Sequence, residues 1–152
     1  MSEFINTIDA LGDEVVVKSI VGGTITEFKD DKLKKVGAGC FFGCSKLTNV
    51  VLKSASIIES EAFARCELLA TVDLTSVTSI EGDAFYRSSA LATLIIRSEQ
   101  VCTLGKNALN STQISLNKGY IYVNDNLVDQ YKTAYNWDAY ASRIKPISEL
   151  GE

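Results

Sequence analysis

Two pairs of carboxylates recur at one interval: Glu59 and Glu81 are 22 residues apart, and so are Glu61 and Asp83. If residues at that interval lie one above another, they form two short acidic rows. Such rows offer hard oxygen ligands to a divalent cation such as calcium, or a carboxylate pair for hydrolysis of a glycan. Acids at the start of a short helix also have a simpler reason to be there, the helix dipole. Cys40 and Cys44 stand one helical turn apart, yet no histidine and no second cysteine pair completes a tetrahedral zinc set. Cys44 and Cys66 share the 22-residue interval and could be close enough to bridge, while small buried thiols fill such a column equally well without a bond. With no histidine in the chain, neither a Ser-His-Asp nor a Cys-His arrangement can be assembled. Val21-Gly22-Gly23-Thr24 lacks the lysine and spacing of a phosphate loop. The expectation is no enzyme, no bound metal and no cofactor.

The interval that relates these groups organises the chain. From Leu33 to Ile96 one pattern is written three times: Leu33, Ala55, Val77; Val36, Ile58, Ile80; Cys40, Ala62, Ala84; Phe41, Phe63, Phe85; Cys44, Cys66, Ser88; and Leu47, Leu69, Leu91. Each unit closes on Val50, Val72, Leu94 and then Leu52, Leu74, Ile96. A repeat in the twenties is the step of a solenoid, because one coil cannot bury its own apolar side. The Ala-Phe segment, with Cys or Ser three residues on, predicts a short helix. The closing Leu-x-x-Val-x-Leu predicts a short strand.

Stacked strands make a parallel ladder whose inner rows are apolar, so the alternate residues face outward. Those rows are Asn49, Thr71, Thr93; then Val51, Asp73, Ile95; then Lys53, Thr75, Arg97. A repeated face of this kind is a candidate partner-binding surface, although threonine-rich rows are also simply good sheet formers.

The pattern hxxIGxxAFxxCxxLxxVxL, present as VGAGCFFGCSKLTNVVL, IIESEAFARCELLATVDL and VTSIEGDAFYRSSALATLII, resembles the BspA-like, Treponema-type leucine-rich repeat family. The likeness is close over residues 33 to 96 and looser to about 123. Glu59 and Glu81 stand where that family has Gly, Cys40 replaces Ala, Ser88 replaces the third Cys, and its strand-ending Pro is absent near Lys53, Thr75 and Arg97. The resemblance implies an α/β repeat fold: a leucine-rich-repeat solenoid of about three and a half 22-residue coils with a parallel β ladder, capped by helical N- and C-terminal segments.

The whole of 1–152 reads as one domain, with residues 1–31 as N-terminal cap, 32–111 as repeats and 112–152 as C-terminal cap. In the first cap Phe4, Ile8 and Leu11 share a helical face, Val15-Val16-Val17 reads as helix or strand, and Thr24 to Phe28 alternates as a first strand. Lys29 to Lys32 reads as a solvated turn. Val101, Leu104, Ala108 and Leu109 repeat the opening of a coil at a step of 24, as an atypical last unit. Tyr120 to Val123 predicts the closing strand, followed by a helix capped at Asn124-Asp125 with Val128, Tyr131 and Tyr135 on one face. The late aromatics, Tyr120, Tyr122, Tyr131, Tyr135, Trp137 and Tyr140, suit either cap packing or a stacking surface for a sugar or partner.

A formal net charge of −4 and a pI near 4.9 disfavour nucleic acid or an anionic membrane surface as the main partner. No run reaches the length of a spanning helix, and the first residues lack the basic flank of a secretion signal. The resemblance implies adhesion or attachment, and both chain ends resemble those of prophage-encoded repeat proteins. The expectation is a noncatalytic phage structural or attachment protein, assembled in the cytoplasm into a virion, with a protein on the virion or host surface, or a glycan, as partner. A secreted or cell-surface adhesin is the alternative, and self-association is open.

Overall fold

The computed structural model describes residues 25–151, a stack of tight turns and short strands in which the coils from Leu33 to Ile96 repeat one backbone path. The long ladder is a six-stranded parallel sheet: β1 (Glu27–Asp30), β3 (Asn49–Leu52), β5 (Thr71–Leu74), β7 (Thr93–Ile96), β9 (Tyr120–Val123) and β10 (Ile144–Pro146). A second parallel ladder joins β2 (Lys35–Val36), β4 (Ile57–Ile58), β6 (Ser79–Ile80) and β8 (Thr103–Leu104). The register keeps the 22-residue columns level: Val50 faces Val72 and Leu94, and Leu52 faces Leu74 and Ile96. All eight apolar columns read from the sequence are buried.

The short helix expected in each coil is not there. The Ala-Phe segment is a run of tight turns with a left-handed residue at every fourth position: Gly39 and Gly43, Glu61 and Arg65, Asp83 and Arg87, Asn107 and Ser111, all with φ between +59° and +72°. The hydrogen bonds give the reason. Cys40 N–H and Phe42 N–H close turns on carbonyls three residues back, but Gly39, Phe41 and Gly43 donate to Ser60, Ala62 and Ala64 of the next coil at 2.7–3.0 Å. Phe63 and Arg65 donate onward to Ala84 and Tyr86, and Phe85 and Arg87 to Ala108 and Asn110. A helix would keep every amide within its own coil. The alternating turn gives half of them to the neighbour, making a third line of hydrogen bonds up the stack.

Inside, the phenylalanines form a continuous spine. Phe41 and Phe63 meet edge to face with centroids 5.1 Å apart, and Phe63 and Phe85 stack at 5.6 Å. Phe28 extends the row from the long ladder, 4.7 Å from Phe41. Beside them, Ser88 Oγ donates to the Phe63 carbonyl at 2.6 Å, as the Cys66 thiol does to that of Phe41 at 3.1 Å. Ser88 thus makes the hydrogen bond that Cys66 makes one coil earlier, which a small donor in this column allows.

Both ends differ from the sequence reading. In the N-terminal cap, the helical face of Phe4, Ile8 and Leu11 and the segment Val15-Val16-Val17 lie outside the described residues. The first strand begins at Glu27 rather than Thr24, and Asp30, expected in a solvated turn, is only 4% exposed. It occupies the inward row level with Leu52, where Oδ1 accepts the amides of Lys32 and Leu33 at 2.8 and 2.6 Å and turns the chain. At the other end β9 does not close the ladder. After a six-residue helix, α1 (Val128–Thr133), β10 adds one more parallel strand, and Pro146 ends it at an edge, where the missing amide is tolerated. Tyr131 faces the core, but α1 stops before Tyr135, which is 86% exposed, so that residue is no part of the predicted face.

The edge of the second ladder is covered by side chains. Tyr131 Oη accepts the Cys102 amide at 2.8 Å, Trp137 Nε1 donates to the Cys102 carbonyl at 2.6 Å, and Asn136 Nδ2 donates to the Leu104 carbonyl at 2.7 Å. Tyr131 and Trp137 pack edge to face at 5.1 Å to hold this arrangement. An open strand edge is a template for further pairing, and these groups occupy it.

The spine makes one substitution decisive. Phe63→Ala, in the middle of the row, lowers unfolding stability by about 3–5 kcal/mol in a denaturant titration; a loss under about 0.5 kcal/mol would mean the coils do not share this core.

Candidate functional site

Each strand of the long ladder turns alternate residues away from the core. The outward rows therefore follow from the register: Glu27, Asn49, Thr71, Thr93 and Tyr120 lie level, and Lys29, Val51, Asp73, Ile95, Tyr122 and Lys145 lie level one row over. Lys53, Thr75 and Arg97 follow β3, β5 and β7, each donating its amide to the strand before. The nine residues picked from the sequence thus sit on one face. One of them is nearly covered: Ile95 is 5% exposed, in a row between Asp73 and Tyr122. Asp73 and Arg97 make a two-pronged ion pair, Nε to Oδ1 at 2.9 Å and a terminal nitrogen to Oδ2 at 3.0 Å, which crosses the rows beside it.

The sequence did not place the last two strands on this face. Alternation in Tyr-Ile-Tyr-Val would have set Tyr120 and Tyr122 beside Thr93 and Ile95. The spacing hides it, because Ile96 to Val123 is 27 residues and Val123 to Pro146 is 23. At this end Arg143 lies over the Tyr120 ring at 4.3 Å while its Nε donates to the Gly119 carbonyl at 3.0 Å. The Lys145 ammonium lies 5.0 Å from the same ring and 3.6 Å from Glu149. The Tyr120 and Tyr122 rings are 6.2 Å apart.

An open cleft of about 470 Å³ adjoins the face at Arg97. It lies where Glu99 and Gln100 lengthen the third coil, with Thr75, Thr78 and Ser98 among its walls. The insertion also shifts burial by one position. Cys102 is fully buried where counting points to Val101.

The carboxylate rows have a structural task. Glu59 Oε1 accepts the Ala38 amide at 3.1 Å and Glu81 Oε1 accepts that of Ser60 at 3.3 Å, each reaching back to the previous coil. Oε2 of Glu59 is 3.7 Å from Lys35. In the fourth coil the column is Gly105, where a Cβ would collide with the Gly82 nitrogen. Glu61 and Asp83 are left-handed turn residues. Among the described residues no group of three or more Cys, Asp or Glu converges as a metal site would require.

The four cysteines are free and buried. Burial pushes the Cys66 and Cys102 thiols up to about 12, and raises Cys40 as well. Tyr131, buried against Cys102, is pushed up to about 12. Thiols held neutral in this way are poor nucleophiles.

The family model of the BspA type leucine rich repeat region, in six copies, matches residues 24–136. No curated protein matches the chain significantly.

The buried thiols and Tyr131 set an alkaline limit. Unfolded, the thiols ionise near 9.0 and the phenol near 10.0; folded, all three wait until about 12. Their contribution is full below pH 9 and is lost as pH rises toward 12. The denaturation midpoint therefore falls between pH 8.5 and about 10.5, and a midpoint that stays level across that range would contradict the burial of these groups.

Proposed function

Since this chain belongs to the BspA type leucine-rich repeat family, we propose that it is a noncatalytic attachment protein whose outward ladder face docks a surface partner. The observation that carries this reading is the face itself. Six level strands present rows of Thr, Asn, Val and Tyr side chains over a core packed throughout the coils. A rigid, repeated surface of this kind binds with little ordering cost. The residues that first suggested catalysis are engaged elsewhere, Glu59 and Glu81 by backbone amides and the thiols by burial.

We place the protein on a phage particle, assembled in the cytoplasm and carried in the virion, because both ends of the chain resemble those of prophage-encoded repeat proteins. The second reading, a cell-surface adhesin, draws on the family itself. Particles induced from a strain that encodes the chain separate the two. Mass spectrometry finds the chain in purified particles if the first reading holds, and absence from them ends it; the chain on intact cells then supports the adhesin. In whichever setting it is found, Thr93→Arg, which places a long cation amid the face, reduces attachment to target cells at least tenfold with the melting curve unchanged. Undiminished attachment would remove the docking face.

A further inference from the structure

We propose that the C-terminal end of this face, centred on Arg143 and Tyr120, anchors an acidic polypeptide segment through a carboxylate held by the Arg143 guanidinium. The proposal rests on the reading of the ladder as a docking surface and names the chemistry of its partner.

Charge points to it first. The chain carries 19 acidic against 15 basic residues, but this end of the face gathers three cations, Arg97, Arg143 and Lys145, and the outward positions of β7, β9 and β10 themselves carry no acid. Arg97 is engaged by Asp73, and Lys145 lies near exposed Glu149. Among the described residues Arg143 has no carboxylate partner. Its Nε is fixed on the Gly119 carbonyl and its guanidinium carbon lies over the Tyr120 ring, 4.3 Å from the centroid. The two terminal amino groups are thus held in place, and among the described residues they donate no hydrogen bond. A guanidinium already tethered and lying over a ring loses little further freedom when it pairs, and its geometry matches a carboxylate fork to fork. Lys145, 5.0 Å from the same ring, brings a second cation to the spot, offset by Glu149 3.6 Å from it.

The surroundings favour a polypeptide over a sugar. Two cations already engage the Tyr120 ring on which a sugar would stack. The outward residues Thr93, Tyr120, Tyr122 and Lys145 include no carboxylate or amide to accept sugar hydroxyls. This donor-rich surface suits a chain rich in acceptors, namely side-chain carboxylates and backbone carbonyls.

The test uses the full chain with two probes, a fluorescein-labelled Glu/Asp-rich 15-residue peptide and a labelled uronic-acid oligosaccharide, read by fluorescence anisotropy. The peptide binds, its affinity falls with added salt, and Arg143→Gln weakens it at least tenfold. Arg143→Lys, which keeps the charge without the fork, gives an intermediate loss, and Lys53→Gln at the far end of the face changes it less than twofold. Melting curves confirm that each variant is folded. Peptide affinity indifferent to Arg143→Gln, or binding of the oligosaccharide alone, would overturn the proposal. If no peptide binds while Thr93→Arg still abolishes attachment, the acidic anchor fails and the docking face stands; if Thr93→Arg is also without effect, both fall.

Discussion

Backbone amides that point along the stack are the constraint from which the rest follows. On all three sides of a coil, N–H groups reach the neighbouring coil: from strand to strand on the two ladders, and through Gly39, Phe41 and Gly43 and their equivalents on the turn. A buried amide without an acceptor costs a few kcal/mol, so each coil must match its neighbour's length and turn geometry. The constant 22-residue step is the imprint of that matching. It also explains why Glu61, Arg65, Asp83 and Arg87 accept a left-handed backbone that ordinarily disfavours side chains: the turn leaves no other way to alternate donors between coils. Where the step breaks, at Glu99 and Gln100, a cleft opens and the buried position moves from Val101 to Cys102.

The same requirement assigns the polar side chains. Glu59 and Glu81 reach back to amides of the coil before, and Ser88 and Cys66 donate to phenylalanine carbonyls. Thr48, Ser76 and Thr78 donate to carbonyls of the preceding coil at the corners. Polar groups that looked like candidates for chemistry are spent holding the stack together. What the coils leave unspent is the outward face, and there the unusual residues gather at one end, Tyr120, Tyr122, Arg143 and Lys145.

Column positions were legible in the sequence because each must be apolar on every rung, and Phe41, Phe63 and Phe85 state this three times. The outward rows were legible for the same reason, as the complement of the inner ones. The turn was not, since Ala-Phe followed by Cys satisfies helical spacing as well as it satisfies consecutive tight turns; only the destination of the amides separates the two. Asp30 misled because a charge in a run of charges reads as solvated, whereas its Oδ1 is used to turn the chain. β10 was hidden by irregular intervals, and with it Arg143 and Lys145.

Tyr131, Asn136 and Trp137 come after every full coil, yet they complete the hydrogen bonds of the last short strand. Terminating the stack is therefore a task separate from building it. A coil duplicated between β5 and β7 would meet identical partners above and below and leave the terminator untouched. Each added unit would lengthen the outer surface by roughly 4.8 Å. Reach toward a partner then becomes a quantity evolution can adjust by whole units, with no need to redesign either end.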